Sequence, residues 1–178
     1  METSLKVRLY GEPCLRMDSV DVIEVGQPER ILISCMLDTM YKEEGIGLAA
    51  PQVGVNQNII VCDIGDGHVI MVNPEVLRKD GSGVMDEGCL SLPGVNVSVC
   101  RPLKIRVRYM DENNEVFERE FSSLMARVIL HEMDHLKGRL ICDYVDQEHK
   151  AQIEQVLARI EQGILPSKEK QHHARKVI

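Results

Sequence analysis

The feature that most restricts what this chain can form is the pentad HEMDH, which runs from His131 to His135. It lies inside a stretch, residues 122–137, whose apolar residues recur near the helical period of 3.6. Side chains four apart on a helix project to the same side, so His131 and His135 can share one metal ion. Glu132 can then reach a water on that metal without being a ligand itself. The alternative is that both histidines are ordinary packing residues.

The composition is typical of a globular protein, and the length fits a single domain. The chain has 178 residues, of which 44% are hydrophobic and 28% are charged. The net charge of -7 argues against generic binding to DNA or RNA. With no signal-peptide pattern and no apolar run near the roughly 20 residues of a membrane span, we expect a cytoplasmic protein without membrane contact. Its six cysteines show no Cys-x-x-Cys pair, which indicates reduced thiols that remain available as ligands.

The remaining pattern predicts an α+β fold in which antiparallel sheets pack around the central metal-binding helix. Amphipathic helices are expected at 28–43 and 146–162. Alternating apolar residues between turn signals predict strands, and residues 140–145 are expected to be extended. The predicted strands are 58–63, 68–72 with a possible continuation at 75–79 after Asn73-Pro74, 95–99, 103–109 and 116–121.

Residues 1–165 are expected to form a single catalytic domain, and residues 166–178 a mobile basic tail. This tail carries four basic residues against one acidic residue, namely Lys168, Lys170, Arg175 and Lys176 against Glu169. Two interpretations stand. It is either a solvated end of the chain or an addition to an RNA-facing surface.

A catalytic metal site usually keeps three protein ligands and one open position, so the two histidines need a third ligand. Downstream, Ile141 stands where one metalloprotease pattern requires a histidine. Glu154, the ligand that another protease type would use, lies on its own predicted amphipathic helix. Upstream, Cys89 read alone is most simply a buried structural cysteine. Read with the two histidines, its thiolate would complete a Cys-His-His set.

Three motifs occur in order along the chain: GIGLAAPQ at 45–52, EGCLS at 87–91 and HExxH at 131–135. Together they resemble the bacterial peptide deformylases, and the likeness extends from about the first helix to about Val145. The absence of long insertions resembles the shorter, Gram-negative-like type. The resemblance implies an enzyme that removes the formyl group from the N-terminal formylmethionine of nascent chains and releases formate.

The same resemblance implies a set of site residues. The metal, usually Fe²⁺ and replaceable by Zn²⁺, Ni²⁺ or Co²⁺, would be held by Cys89, His131 and His135. Glu132 would act as the base, while the Gln52 amide and the Leu90 backbone N–H would stabilise the oxyanion. The implied substrate-binding residues are Gly45, Ile46, Gly47, Glu87, Gly88, Leu124 and Val128. Among them, Ile46, Leu124 and Val128 would form the methionine pocket, with Glu87 near its wall.

The chain departs from the family pattern at two positions. Leu130 replaces the usual Gln before the first histidine, and Asn96 stands where an Arg is frequent. Neither is a ligand, so the departures concern peptide preference and local order. Two other classes of protein stay open at this point: a zinc peptidase using Glu154, and a non-catalytic metal-stabilised module closed by a fourth ligand such as Cys100 or Cys142.

Overall fold

The computed structural model describes residues 4–166 and contains three α-helices and seven strands in that part of the chain. The helices are α1 (Gln27–Lys42), α2 (Ser123–His135) and α3 (Gln147–Glu161). The strands are β1 (Gly47–Ala49), β2 (Ile59–Cys62), β3 (Val69–Asp80), β4 (Gly83–Glu87), β5 (Val97–Arg101), β6 (Lys104–Met110) and β7 (Val116–Ser122). Short 3-10 helices occur at Pro13–Arg16, Ala50–Val53 and Ile141–Tyr144. Beyond Pro166, the predicted basic tail lies outside the described residues.

Two antiparallel sheets form the framework. The larger has the order β1-β2-β3-β6-β7, and β4 pairs with β5 in the smaller one. Helix α2 contacts β1, β2, β6 and β7, and its Arg127 also hydrogen-bonds to the smaller sheet. The predicted α+β class with antiparallel sheets around this helix is therefore confirmed. Within residues 4–166, no helix has the length and apolar character that crossing a bilayer requires.

Strand β2 explains how the larger sheet is covered on both faces. Ile60 and Cys62 belong to a core cluster with α2, whereas Ile59 and Val61 belong to a second cluster with α1. All four side chains are fully buried. A strand that is covered on both faces reads as an unbroken apolar run, as this one does. Burial of each of the three isoleucine and valine side chains stabilises the fold by about 1.5–3 kcal/mol.

A third core cluster fixes the segment that follows β4. It contains Cys89 and Leu92 from that segment, Val97 and Val99 from β5, and Leu157 and Ile160 from α3. The cysteine is thereby anchored by packing on the nearby strand β5 and on α3, which is distant from it in sequence. On its other side the EGCLS motif contacts α2, where the Cys89 Sγ lies 3.3 Å from His135 Nε2.

Four local features differ from the sequence prediction, and the first three concern strands. Strands β1 and β4 were not expected, because β1 has only three residues and β4 is largely exposed, so neither shows a clear alternation. Asn73-Pro74 does not end β3; a register shift between Val72 and Glu75 accommodates it. There Asn73 adopts a φ of 51° and its side chain bonds the Val22 backbone at 2.9 and 2.7 Å.

The expectation of extended structure at 140–145 is wrong for its central part, where Ile141–Tyr144 form a 3-10 helix. The side chain of Asp143 stabilises this turn, because its Oδ2 accepts the Leu140 N–H at 2.8 Å. The same carboxylate pairs with Arg16 at 2.6 Å. A capping interaction of this kind overrides the apolar pattern that suggested a strand.

Candidate metal centre and active site

Cys89, His131 and His135 converge in the structure. Their possible ligand atoms all lie within 4.8 Å of one another, and the Cys89 Sγ is 3.3 Å from His135 Nε2. The three residues are only 8%, 2% and 1% exposed. Among the side chains that the structure describes, in residues 4–146 and 149–166, they are the one group of three or more His, Cys, Asp or Glu residues placed to hold a metal. Because this group includes neither Glu154 nor Cys100 nor Cys142, neither alternative ligand set is assembled in the described part of the chain.

The residues present fit a single divalent transition-metal ion. A thiolate and two imidazoles are the donors that Zn²⁺, Fe²⁺, Co²⁺ and Ni²⁺ accept, and three ligands leave one position open. Burial lowers the pKa of His135 well below its ordinary value, which favours the neutral ring that binds metals. The Oε2 atom of Glu132 is buried and has no hydrogen-bond partner among the described residues. An orphan carboxylate oxygen at this place indicates a position for water or substrate.

Glu132 has the properties of a proton carrier. Burial raises the pKa of its carboxyl to about 7, although the nearby charges of His131 and Arg101 oppose the rise. A group with a pKa near the working pH can both take and return a proton. A Cβ atom at position 47 would overlap Glu132 Oε1 and lie 2.8 Å from the Val128 side chain. Gly47 is thus required where β1 passes this carboxylate.

Gln52 presents an N–H donor to the metal ligands. It is 1% exposed in the 3-10 helix Ala50–Val53, and its Oε1 accepts the Ala49 backbone N–H at 2.8 Å. This bond fixes the orientation of the amide, because a backbone N–H needs the oxygen as its acceptor. The Nε2 atom consequently faces Cys89 Sγ at 3.6 Å and Ser91 Oγ at 3.3 Å.

Glu87 lies behind His131. Its Oε2 is 3.0 Å from His131 Nδ1, and Arg101 and Arg127 donate to the same carboxylate at 2.6–2.8 Å. Burial would raise the pKa of Glu87, yet the hydrogen bonds from Arg101 and His131 lower it to about 2. Sequence reasoning missed both arginines. The available signal was Arg127 itself, a charged residue on α2 four positions before a ligand.

A cleft with a volume of about 560 Å³ opens onto the metal ligands. Its walls include Leu5 and Val7 from the N-terminal segment, Pro93 and Asn96 after the cysteine, and Leu165 beyond α3. Nine predicted site residues line it: Gly45, Ile46, Gly47, Gln52, Gly88, Cys89, Leu90, His131 and Glu132.

The other predicted site residues lie apart from that lining. His135 is buried beneath it among the ligands, and Glu87 is enclosed by the arginines. Val128 is fully buried in the core, while Leu124 is 36% exposed at the start of α2. Of the two departures from the family pattern, Asn96 borders the cleft, whereas Leu130 packs in the core.

A buried Cys-His-His set, an orphan carboxylate and an amide donor at the base of one cleft define the class of metal-dependent hydrolases. A family model described as polypeptide deformylase matches residues 4–151. A peptide deformylase of Clostridium botulinum is 47% identical over 137 residues, covering 77% of this chain and 93% of the relative. One of Agathobacter rectalis is 44% identical over 140 residues, covering 79% and 89%. The chain belongs to the polypeptide deformylase family.

Solved structures agree with this membership. A plant peptide deformylase superposes with a TM-score of 0.85 at 34% identity, covering 92% of each chain. A peptide deformylase of Legionella pneumophila gives 0.84 at 32% identity, covering 89% of this chain and 96% of the other. The enzyme of Synechococcus elongatus, solved in complex with actinonin, gives 0.81 at 38% identity, with 87% and 85% coverage.

Proposed function

We propose that this protein is a metal-dependent peptide deformylase that removes the formyl group from the N-terminal formylmethionine of newly synthesised proteins and releases formate. The observation that carries the proposal is the convergence of Cys89, His131 and His135 with the orphan oxygen of Glu132 in one cleft. Membership of the polypeptide deformylase family supports the same reaction. The reaction is proposed to occur in the cytoplasm, where nascent chains emerge.

The proposed mechanism assigns separate tasks to the residues around the cleft. Cys89, His131 and His135 would hold the metal, which supplies a Lewis acid that activates water near neutral pH. Glu132 takes the proton of the attacking water at Oε2 and then passes it to the leaving nitrogen. The N–H groups of Gln52 Nε2 and the Leu90 backbone donate to the oxygen that gains negative charge.

Substrate orientation follows from the residues of the cleft. Gly45, Gly47 and Gly88 border it, so a peptide backbone can pass close to the protein backbone there. A Cβ at Gly45 would lie 2.9 Å from the Leu90 side chain, which would narrow the passage. The methionine side chain is proposed to enter between β1 and α2, where Ile46 packs on the cluster that contains Val128. Leu124, one helical turn before Val128, would complete this pocket.

The resident metal is proposed to be Fe²⁺, with Zn²⁺, Ni²⁺ or Co²⁺ able to replace it. Cys-His-His donors accept all of these ions, so the choice would follow metal supply and geometry. The proposed partners are formylated nascent peptides. The basic residues 168–176, which lie outside the described residues, are proposed to add to an RNA-facing surface near the ribosomal exit tunnel.

A peptide assay tests the proposed reaction. The protein should release formate from formyl-Met-Ala-Ser and leave both peptide bonds whole, as measured by formate detection and mass spectrometry of the peptide. The acetylated analogue should react at least roughly 10²-fold more slowly, because its methyl group would displace the carbonyl from the donors at Gln52 and Leu90. Cleavage of Met-Ala or Ala-Ser would contradict the proposal, as would equal rates for formyl and acetyl peptides.

Air sensitivity tests the proposed metal. The Fe²⁺ form should lose activity in air faster than a matched Ni²⁺ form, because oxygen oxidises Fe²⁺ far more readily than Ni²⁺, while the Cys89 thiolate, which can also be oxidised, is common to both forms. The measurement is residual formate release against time, with an anaerobic sample of each form as the control. Equal aerobic half-lives for the two forms would argue against iron as the labile component.

A further inference from the structure

The carboxylate of Glu87 is held by three buried partners. Its Oε2 is 3.0 Å from His131 Nδ1, Arg101 donates to both oxygens at 2.6 and 2.8 Å, and Arg127 Nη1 donates to Oε1 at 2.8 Å. All four side chains are 5% exposed or less. The carboxylate that contacts His131, a proposed metal ligand, is thus fixed on both of its oxygens.

The charges of this cluster balance only when Arg127 is counted. Arg101 cannot neutralise Glu87 alone, because its Nη1 also pairs with Asp134 at 2.8 Å. One guanidinium therefore faces two carboxylates. The salt bridge that the structure describes for Arg127 is to Glu87. The two guanidinium groups of Arg101 and Arg127 therefore balance the two carboxylates of Glu87 and Asp134. Without Arg127, an unbalanced negative charge would be buried behind His131, which is unfavourable.

Hydrogen bonds fix the position of the Arg127 guanidinium. Arg127 precedes His131 by four residues on α2, so both side chains reach the same carboxylate from one face of the helix. Its Nη1 also donates to the Val99 carbonyl at 2.8 Å, and its Nη2 donates to the Gly83 carbonyl at 2.6 Å. The guanidinium is therefore fixed to the smaller sheet as well as to Glu87.

We propose that Arg127 is a positioning residue of the metal centre, acting through Glu87. By orienting and balancing that carboxylate, it keeps the Nδ1–H of His131 directed at Glu87 and turns Nε2 toward the metal. This inference rests on the proposed function, because it assumes that His131 is a ligand. A simpler role would be a mechanical clamp between α2 and the smaller sheet, and the two roles predict different measurements.

The test compares Arg127→Met and Arg127→Lys with Arg106→Met, whose arginine is half-exposed and pairs with Glu118 on the strand surface. Each protein is measured for its Ni²⁺ dissociation constant by chelator competition, for kcat and KM of the Ni²⁺ form, and for urea unfolding. Arg127→Met should bind Ni²⁺ about 10–100-fold more weakly and have a lower kcat per bound ion with little change in KM. Arg127→Lys should recover part of the loss, since it keeps the charge but not the fork of donors.

A double-mutant cycle shows whether the effect passes through Glu87. In a Glu87→Gln background, Arg127→Met should weaken Ni²⁺ binding by less than about 3-fold, because the carboxylate that it balances is gone. An equal loss in both backgrounds would overturn the inference. The inference would also be overturned if Arg127→Met lowered the free energy of unfolding but kept its Ni²⁺ affinity and kcat within 2-fold of those of Arg106→Met. If Arg127→Met does not fold, Arg127→Lys gives the same comparison. Failure of the unmutated chain to bind Ni²⁺ would instead refute the proposed function.

Discussion

Replacing Cys89 by alanine should abolish metal retention and formate release together. The thiolate is one of three ligands, and losing a ligand should weaken binding by more than the roughly 10–100-fold that follows loss of a supporting hydrogen bond. The residue is only 8% exposed and packs in the third core cluster, so alanine also leaves a small cavity there. Metal content is measured by elemental analysis after dialysis, and activity by formate release.

The matched controls for this change are other cysteines of the chain. Cys100 is exposed and Cys142 is half-buried, and neither belongs to the ligand group. Their alanine variants should keep both metal and activity. Full occupancy and turnover in Cys89→Ala would end its assignment as a ligand. The loss of metal from Cys142→Ala instead would point to a different site.

The elements that could be predicted from sequence are those whose own residues determine them. Helix α2 follows from its apolar period, and its bounds, Ser123–His135, fall inside the predicted stretch. The β2–β3 hairpin follows from β-branched runs on either side of Gly65 and Gly67, both of which have positive φ. The pairing of His131 with His135 needs only the geometry of one helix, so it too was accessible.

The parts that could not be predicted depend on contacts between distant segments. Glu87 was assigned to the wall of a pocket, yet the structure places it against Arg101 and Arg127, which lie 14 and 40 residues away. The residues that flank Glu87 in the sequence form no pattern from which this cluster could be predicted. Gly47 shows the same limit. The glycine at this position suggested room for a substrate backbone. The structure adds that a side chain at position 47 would collide with Glu132.

Replacing Glu132 by glutamine should separate catalysis from metal binding. Glutamine keeps the size of the side chain but cannot accept and return a proton, so turnover should fall by roughly 10²-fold or more while metal content stays unchanged. The buried carboxyl, with a pKa raised to about 7, lines the cleft and has an oxygen without a hydrogen-bond partner among the described residues, and the replacement keeps the space that the side chain occupies there. KM should consequently change much less than kcat.

The control for Glu132→Gln is Glu154→Gln on the exposed face of α3, the carboxylate that a zinc peptidase would use as a ligand. That variant should keep full metal content and full activity. Elemental analysis beside kcat and KM for formyl-Met-Ala-Ser decides the matter. If Glu132→Gln loses metal in proportion to rate, so that turnover per bound ion is unchanged, then Glu132 supports the site without moving a proton. Since Oε2 has no protein partner among the described residues to lose, we expect the metal to stay and the rate per ion to collapse.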